Sequence, residues 1–213
     1  MPLERLVHEG TRTWALWNIT EAEHELAVSL TDGQQIPSTI HNQQKRLEWF
    51  AGRVLTQRLL EKRSLPFSGI IKDEHGKPSL SGYPFHLSLS HSYPFVAAIL
   101  DEHFPVGIDL EQPKAKLIRV APRVLAPDEL NDAGTILTKH CVYWCAKESL
   151  IKIYGKKNLV LAENIHVAAF ELEQSGHILG RIIVNQEETM IPLYYRVFPE
   201  FVLVFNSPGG FGS

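Results

Sequence analysis

Two segments of this chain read alike, Glu48-Trp49-Phe50-Ala51-Gly52-Arg53-Val54-Leu55 and Tyr143-Trp144-Cys145-Ala146-Lys147-Glu148-Ser149-Leu150. At a constant offset Trp49 falls on Trp144, Ala51 on Ala146 and Leu55 on Leu150. Around the first, Leu47, Phe50, Ala51, Val54 and Leu55 recur at helical spacing and form one apolar stripe. Both segments precede strand-like stretches, and each half ends on a proline-led apolar run: Pro94-Phe95-Val96-Ala97-Ala98-Ile99 and Pro199-Glu200-Phe201-Val202-Leu203-Val204. Such a repeat leaves few ways to fold. The expectation is an α+β protein of two similar α/β halves related by a pseudo-twofold axis, each a long helix packed on a small antiparallel sheet. Residues 1–104 make the N-terminal half and 105–213 the C-terminal half. Arg53 and Glu148 then occupy equivalent positions with opposite charge, so a cleft between the halves carries basic groups on one side and carboxylates on the other.

The remaining elements follow from local signals. Residues 1–36 suggest a strand followed by a short helix. Ser38 or Asn42 caps the first long helix, which runs to about Lys62. His75-Gly76-Lys77-Pro78 is the tip of a hairpin-like excursion, and Phe85–Ser90 alternates as a strand until His91-Ser92-Tyr93-Pro94 breaks it. Phe95–Leu100 is a buried strand. Pro113, Pro122 and Pro127 divide residues 113–137 into short helical pieces and loops. Thr138 caps the second long helix, which stops near Tyr154 at Gly155. Three strands follow, His166–Glu173, Arg181–Gln186 and Leu193–Phe205, and the tail Ser207–Ser213 is loose.

Of the 213 residues, 44% are hydrophobic and 21% charged, which is the composition of a soluble globular protein. The formal charge of −3 argues against a nucleic-acid binder that relies on a broad basic surface. No apolar run reaches the roughly 20 residues of a membrane helix, and the first residues lack a signal-peptide pattern. Cys141 and Cys145, one helical turn apart, read as core thiols and suit a reducing compartment. A cytoplasmic protein with no membrane or nucleic-acid partner is expected.

The candidate chemistry begins at Val106-Gly107-Ile108-Asp109-Leu110-Glu111. On a strand, Asp109 and Glu111 project from one face, and Glu148 on the second helix points back at them. Three carboxylates on one patch repel unless a hard cation or protons neutralise them, and all-oxygen donors suit Mg²⁺. Trp144, Glu148 and Lys152 share a helix face, with Glu148 and Lys152 spaced as an i,i+4 ion pair. Lys45, Trp49 and Arg53 form a second row, and Ser90-His91-Ser92 offers hydroxyls and a ring nitrogen to an anion. Taken singly, each has a plain structural explanation: a solvated strand face, a basic helix flank, a hydrogen-bonded turn.

Taken together, Gly76-Lys77-Pro78, Leu89-Ser90-His91-Ser92, Gly107-Ile108-Asp109-Leu110-Glu111 and Trp144-Cys145-Ala146-Lys147-Glu148-Ser149-Leu150-Ile151-Lys152 resemble the 4′-phosphopantetheinyl transferases. The likeness is to the longer, two-halved monomeric branch, the type that activates surfactin synthetase. It extends back to Ala51-Gly52-Arg53 and covers about residues 45–155. The resemblance implies transfer of the phosphopantetheine arm of coenzyme A to a serine of an acyl or peptidyl carrier protein, with Mg²⁺ and release of 3′,5′-ADP. It implies Asp109, Glu111 and Glu148 as metal ligands, with Glu148 or a water it holds accepting the serine proton. Lys147 and Lys152 would offset pyrophosphate charge; His91 with Ser90, helped by Lys45 and Arg53, would bind the 3′-phosphate; Lys77 would lie along the nucleotide. Leu110 stands where some relatives carry a polar residue, so no third ligand comes from that position of the strand. The active site is expected between the halves. Two rivals use the same residues: a Mg²⁺-dependent phosphohydrolase, and a non-catalytic module binding coenzyme A or a carrier.

Overall fold

The first apolar residues form a hairpin, where local signals suggest a single strand. Strand β1 (Leu3–Glu9) turns at Gly10, whose φ is +57°, into β2 (Arg12–Asn18). Every residue of β2 from Arg12 to Trp17 is buried, the pattern of a strand covered on both faces rather than one. The computed structural model describes residues 3–31, 33–156 and 158–207, so most of the tail expected to be loose lies outside the described residues. The chain divides into two compact units, Met1–Val106 and Gly107–Ser213.

In unit 1, helix α1 (Glu23–Ser29) precedes the long helix α2 (Gln43–Glu61). Asn42 is the α2 cap: its Oδ1 accepts from the Lys45 N–H at 3.1 Å, satisfying one of the orphan donors of the first turn. The Leu47–Leu55 stripe is buried, together with Leu59 and Leu60. Next come β3 (Ile70–Lys72), β4 (Pro78–Leu80), β5 (His86–Ser92) and β6 (Phe95–Asp101), in an antiparallel sheet ordered β1-β2-β6-β5-β4-β3. Strand β5 continues through His91 and Ser92, which pair with Val96 and Phe95; the break falls at Tyr93–Pro94 instead. The α2 stripe packs on β2, β5 and β6 through Ala15, Trp17, Leu87, Val96, Ala98 and Leu100.

Unit 2 starts with β7 (Ile108–Glu111), followed by α3 (Lys116–Val124), α4 (Pro127–Ala133) and the long α5 (Leu137–Tyr154). The α5 N-cap position is Ile136, with no side-chain cap, so Thr138 lies inside the helix. Gly155 ends it in the left-handed region at φ +79°. A short α6 (Leu161–Asn164) leads to β8 (Ile165–Val167), β9 (Ser175–Val184), β10 (Glu187–Val197) and β11 (Val202–Asn206). The antiparallel order is β7-β11-β10-β9-β8. In place of the three strands expected after α5 there are four, and β9 and β10 are two long arms of one hairpin, turning at Asn185-Gln186 with φ +52° and +68°. Two consecutive positive φ values mark a two-residue hairpin turn. The tip residues Glu187–Met190 are exposed, so this part of the strand is held by backbone pairing that hydrophobic alternation does not signal. Among the described residues, the secondary structure is six helices and two antiparallel sheets.

Candidate active site

The carboxylate strand is an edge strand held down by a helix. In β7, Asp109 pairs with Val204 and Glu111 with Val202 of β11. Three small α5 side chains, four residues apart, donate to these strands: Cys141 Sγ to the Glu111 carbonyl at 3.3 Å, Cys145 Sγ to the Val202 carbonyl at 3.8 Å and Ser149 Oγ to the Val204 carbonyl at 3.0 Å. Close approach also needs Gly107, where a Cβ would lie 2.0 Å from the Ser149 carbonyl oxygen. With the backbones this close, Lys152 reaches the strand, donating from Nζ to Asp109 Oδ1 and to the Ile108 carbonyl, both at 2.8 Å. The ion pair of Lys152 is therefore with Asp109, not the i,i+4 pair with Glu148 expected from spacing. Glu148, one turn earlier, carries a carboxyl raised above its ordinary range by burial and then by the Asp109 charge, with Lys152 opposing. Glu111 Oε2 accepts from Lys116 Nζ of α3 at 3.0 Å.

Among the described residues no three His, Cys, Asp or Glu side chains are already gathered as a metal cage. Asp109 and Glu111 each face an ammonium instead. The donor set nevertheless fits a hard cation. All three are carboxylates, and Glu148 is destabilised as an anion by burial and by the neighbouring Asp109 charge, a repulsion that a divalent ion relieves.

Lys147 is not available to a pyrophosphate. It is 1% exposed, with Nζ 2.5 Å from Glu129 Oε2 and donating to the Leu161 and Ile165 carbonyls at 3.1 and 2.6 Å. Adjacent residues on a helix point about 100° apart, so with Glu148 beside the strand Lys147 enters the core. Glu129 is fully engaged too, accepting from the Ala126 and Val167 N–H groups at 2.7 and 2.8 Å.

The expected cations of unit 1 are only partly gathered. His91 Nδ1 and Lys45 Nζ meet on one carboxylate oxygen, Glu48 Oε2, at 3.1 and 2.7 Å, and the Tyr93 N–H donates to Glu48 Oε1 at 3.2 Å. Burial would raise the Glu48 carboxyl, but His91 and Lys45 outweigh it and bring it down to about 2. Farther along α2, the Arg53 guanidinium lies 3.6 Å from the centre of the Trp49 ring and donates from Nε to Gln34 Oε1 at 2.9 Å. Ser90 is buried on the β5 face opposite His91, as strand alternation requires. Lys77 follows the β3–β4 turn that Asp73 closes by accepting from the His75 and Lys77 N–H groups. After burial, its charge is the next cause lowering the pKa of His86, at the other end of β5 from His91, roughly 17 Å away at strand rise.

Glu48, Gln34, Lys116 and Glu129 escaped the sequence reading. Glu48 had a signal: an acidic residue inside a buried arc, between Leu47 and Phe50, demands a partner. Glu129 also had one, three residues after the N-cap Ala126. Gln34 and Lys116 lie among polar neighbours and have none.

A family profile described as the 4′-phosphopantetheinyl transferase superfamily matches residues 105–203, which contain Asp109, Glu111, Glu148 and Lys152. The chain is 30% identical over 130 residues to a 4′-phosphopantetheinyl transferase of Bacillus subtilis, covering 57% of this chain and 55% of that protein. It is 35% identical over 114 residues to the 4′-phosphopantetheinyl transferase psf-1 of Bacillus pumilus, covering 49% and 48% respectively. These two relatives are thus spanned over about half their length. The 4′-phosphopantetheinyl transferase AcpT of Salmonella typhi is 31% identical over 140 residues, covering 60% of this chain and 71% of that protein. With likeness extending over most of one relative and the carboxylate strand and helix inside the matched region, the chain belongs to the 4′-phosphopantetheinyl transferase superfamily.

Proposed function

We propose that this protein transfers the 4′-phosphopantetheine arm of coenzyme A to a serine hydroxyl of an acyl or peptidyl carrier protein, in a Mg²⁺-dependent reaction. The observation that carries the reading is Lys152 bonded to Asp109 beside the half-buried Glu148, with Glu111 two residues along the same strand. The serine oxygen attacks the phosphorus that bears the pantetheine arm. The bond from that phosphorus to the bridging oxygen breaks, and 3′,5′-ADP leaves with the electron pair. Glu148, or a water it holds, takes the serine proton. Lys152 keeps a positive charge against the strand on which phosphate charge accumulates. Asp109, Glu111 and Glu148 would hold Mg²⁺, which when bound neutralises phosphate charge and orients the group being transferred. Because the nucleophile comes from the partner, the chain needs no nucleophilic side chain of its own; positioning and charge neutralisation do the catalysis.

On unit 1, His91, Lys45 and Arg53 would hold the 3′-phosphate, and Lys77 would lie along the nucleotide. The exposed Lys114, Lys116, Ile118, Arg119 and Arg123 give an acidic carrier a basic and apolar surface despite the negative net charge. We further propose that the two units are structural repeats of one another. Support comes from connectivity. In unit 1, β2 is followed by α2 and then β3 to β6, with β6 returning to pair with β2. In unit 2, β7 is followed by the helices ending in α5 and α6 and then β8 to β11, with β11 returning to pair with β7.

Mass spectrometry of an apo carrier protein incubated with coenzyme A and Mg²⁺ tests the reading. The expected result is a gain of one phosphopantetheine with the wild type and none with Glu148→Gln. Coenzyme A cleaved without a carrier adduct would mean a hydrolase, and intact coenzyme A with an unmodified carrier would mean a binding module.

A further inference from the structure

Glu48 is an anion among groups that would bind an anion, and the transfer chemistry does not call for it. Its side chain is 4% exposed, while the His91 ring that it holds is 46% exposed. A carboxylate only accepts, so the proton between the two sits on Nδ1 of His91. Among the described residues the ring makes no second polar contact, which leaves Nε2 for a ligand. Helix α2 supplies Lys45 and Glu48, β6 places uncharged Val96 opposite His91, and β4 pairs with β5 only at its far end, Ser79 with His86.

We propose that Glu48 is a positioning residue that holds His91 and Lys45 together as an anchor for the phosphomonoester of coenzyme A. With Nδ1–H committed to Glu48, Nε2 must itself carry a proton to donate to a phosphate oxygen. The buried carboxylate fixes the ring and stabilises the imidazolium that donates to the 3′-phosphate. Glu48 also tethers Lys45, so both cations are oriented before the ligand arrives and less ordering remains at binding. A neutral amide at position 48 keeps the shape but loses the charge that holds the imidazolium. This inference rests on coenzyme A being the ligand and on its 3′-phosphate lying at His91.

The test is calorimetric titration of coenzyme A and of dephospho-coenzyme A near neutral pH into wild type, Glu48→Gln, His91→Ala and the double variant. The wild type is expected to prefer coenzyme A over the dephospho form. Glu48→Gln should lose about tenfold of that preference, and in the His91→Ala background the same change should cost less of it. The ratio of the two ligands cancels general damage to the fold. Undiminished preference in Glu48→Gln, or equal losses for both ligands, overturns the proposal. A wild type without preference for the 3′-phosphate overturns it as well, yet a positive carrier-modification assay would then leave the proposed transfer standing.

Discussion

Gly107 shows how a single residue governs the carboxylate strand. Its missing Cβ lets β7 come within contact of the α5 backbone, with the virtual carbon 2.0 Å from the Ser149 oxygen and 2.9 Å from Ile153 Cγ1. Neither a carbonyl in a helix nor a core isoleucine yields easily. Gly107→Ala is therefore expected to cost about 1–3 kcal/mol or more of stability and to separate Lys152 from Asp109. Denaturant unfolding gives the first effect. The second appears as loss of carrier modification in protein that is still folded, and an alanine variant with wild-type stability and transfer would contradict the contact. The same substitution at Gly52 meets only Leu89 Cδ2 at 3.9 Å, an ordinary contact, and serves as a control in the echoed helix.

Helix α5 is the element that sorts buried structure from candidate chemistry. One face donates from Cys141, Cys145 and Ser149 to the strands, the next carries Glu148 and Lys152, and Lys147 is driven inward onto Glu129. That buried pair joins α5 to α4, and through the Glu129–Val167 bond to β8. Removing one partner leaves the other charge uncompensated, so Lys147→Ala should lower unfolding free energy by about 3–5 kcal/mol. Lys152, with 26% of its side chain exposed, is less committed to the core. Lys152→Ala should reduce transfer far more than stability. Parallel denaturation and transfer assays on the two variants separate the roles; similar stability losses in both would show that the two lysines do the same structural work.

For the whole molecule, each unit holds one part of the proposed chemistry: the His91–Glu48–Lys45 cluster in unit 1, the carboxylates with Lys152 in unit 2. Transfer is expected to disappear with a chelator and return with Mg²⁺ or Mn²⁺, because carboxylate oxygens accept both. Zn²⁺ should restore little, as no thiolate or imidazole is assigned to the metal. Full transfer in the presence of the chelator, measured by carrier mass, would remove the ion from the mechanism.

Local sequence determined the two long helices, the strand character of residues 85–100 and 108–111, and the residue types offered for the site. Helical and strand periodicities repeat over a few residues, and the motifs are contiguous, so both can be read without knowing what lies opposite. Tertiary structure decided what those periodicities leave degenerate. Lys147 and Lys152 are both helix lysines near Glu148, yet one is sealed against Glu129 and the other bonded to Asp109, because only the packed strands fix which way each points. The β9–β10 hairpin extends through polar residues that only cross-strand pairing holds. Glu48 reads as one more charge on a helix until β5 brings His91 and the Tyr93 N–H to it. Tyr93 lies 45 positions further along the chain, and a contact at that separation exists only once the sheet has formed.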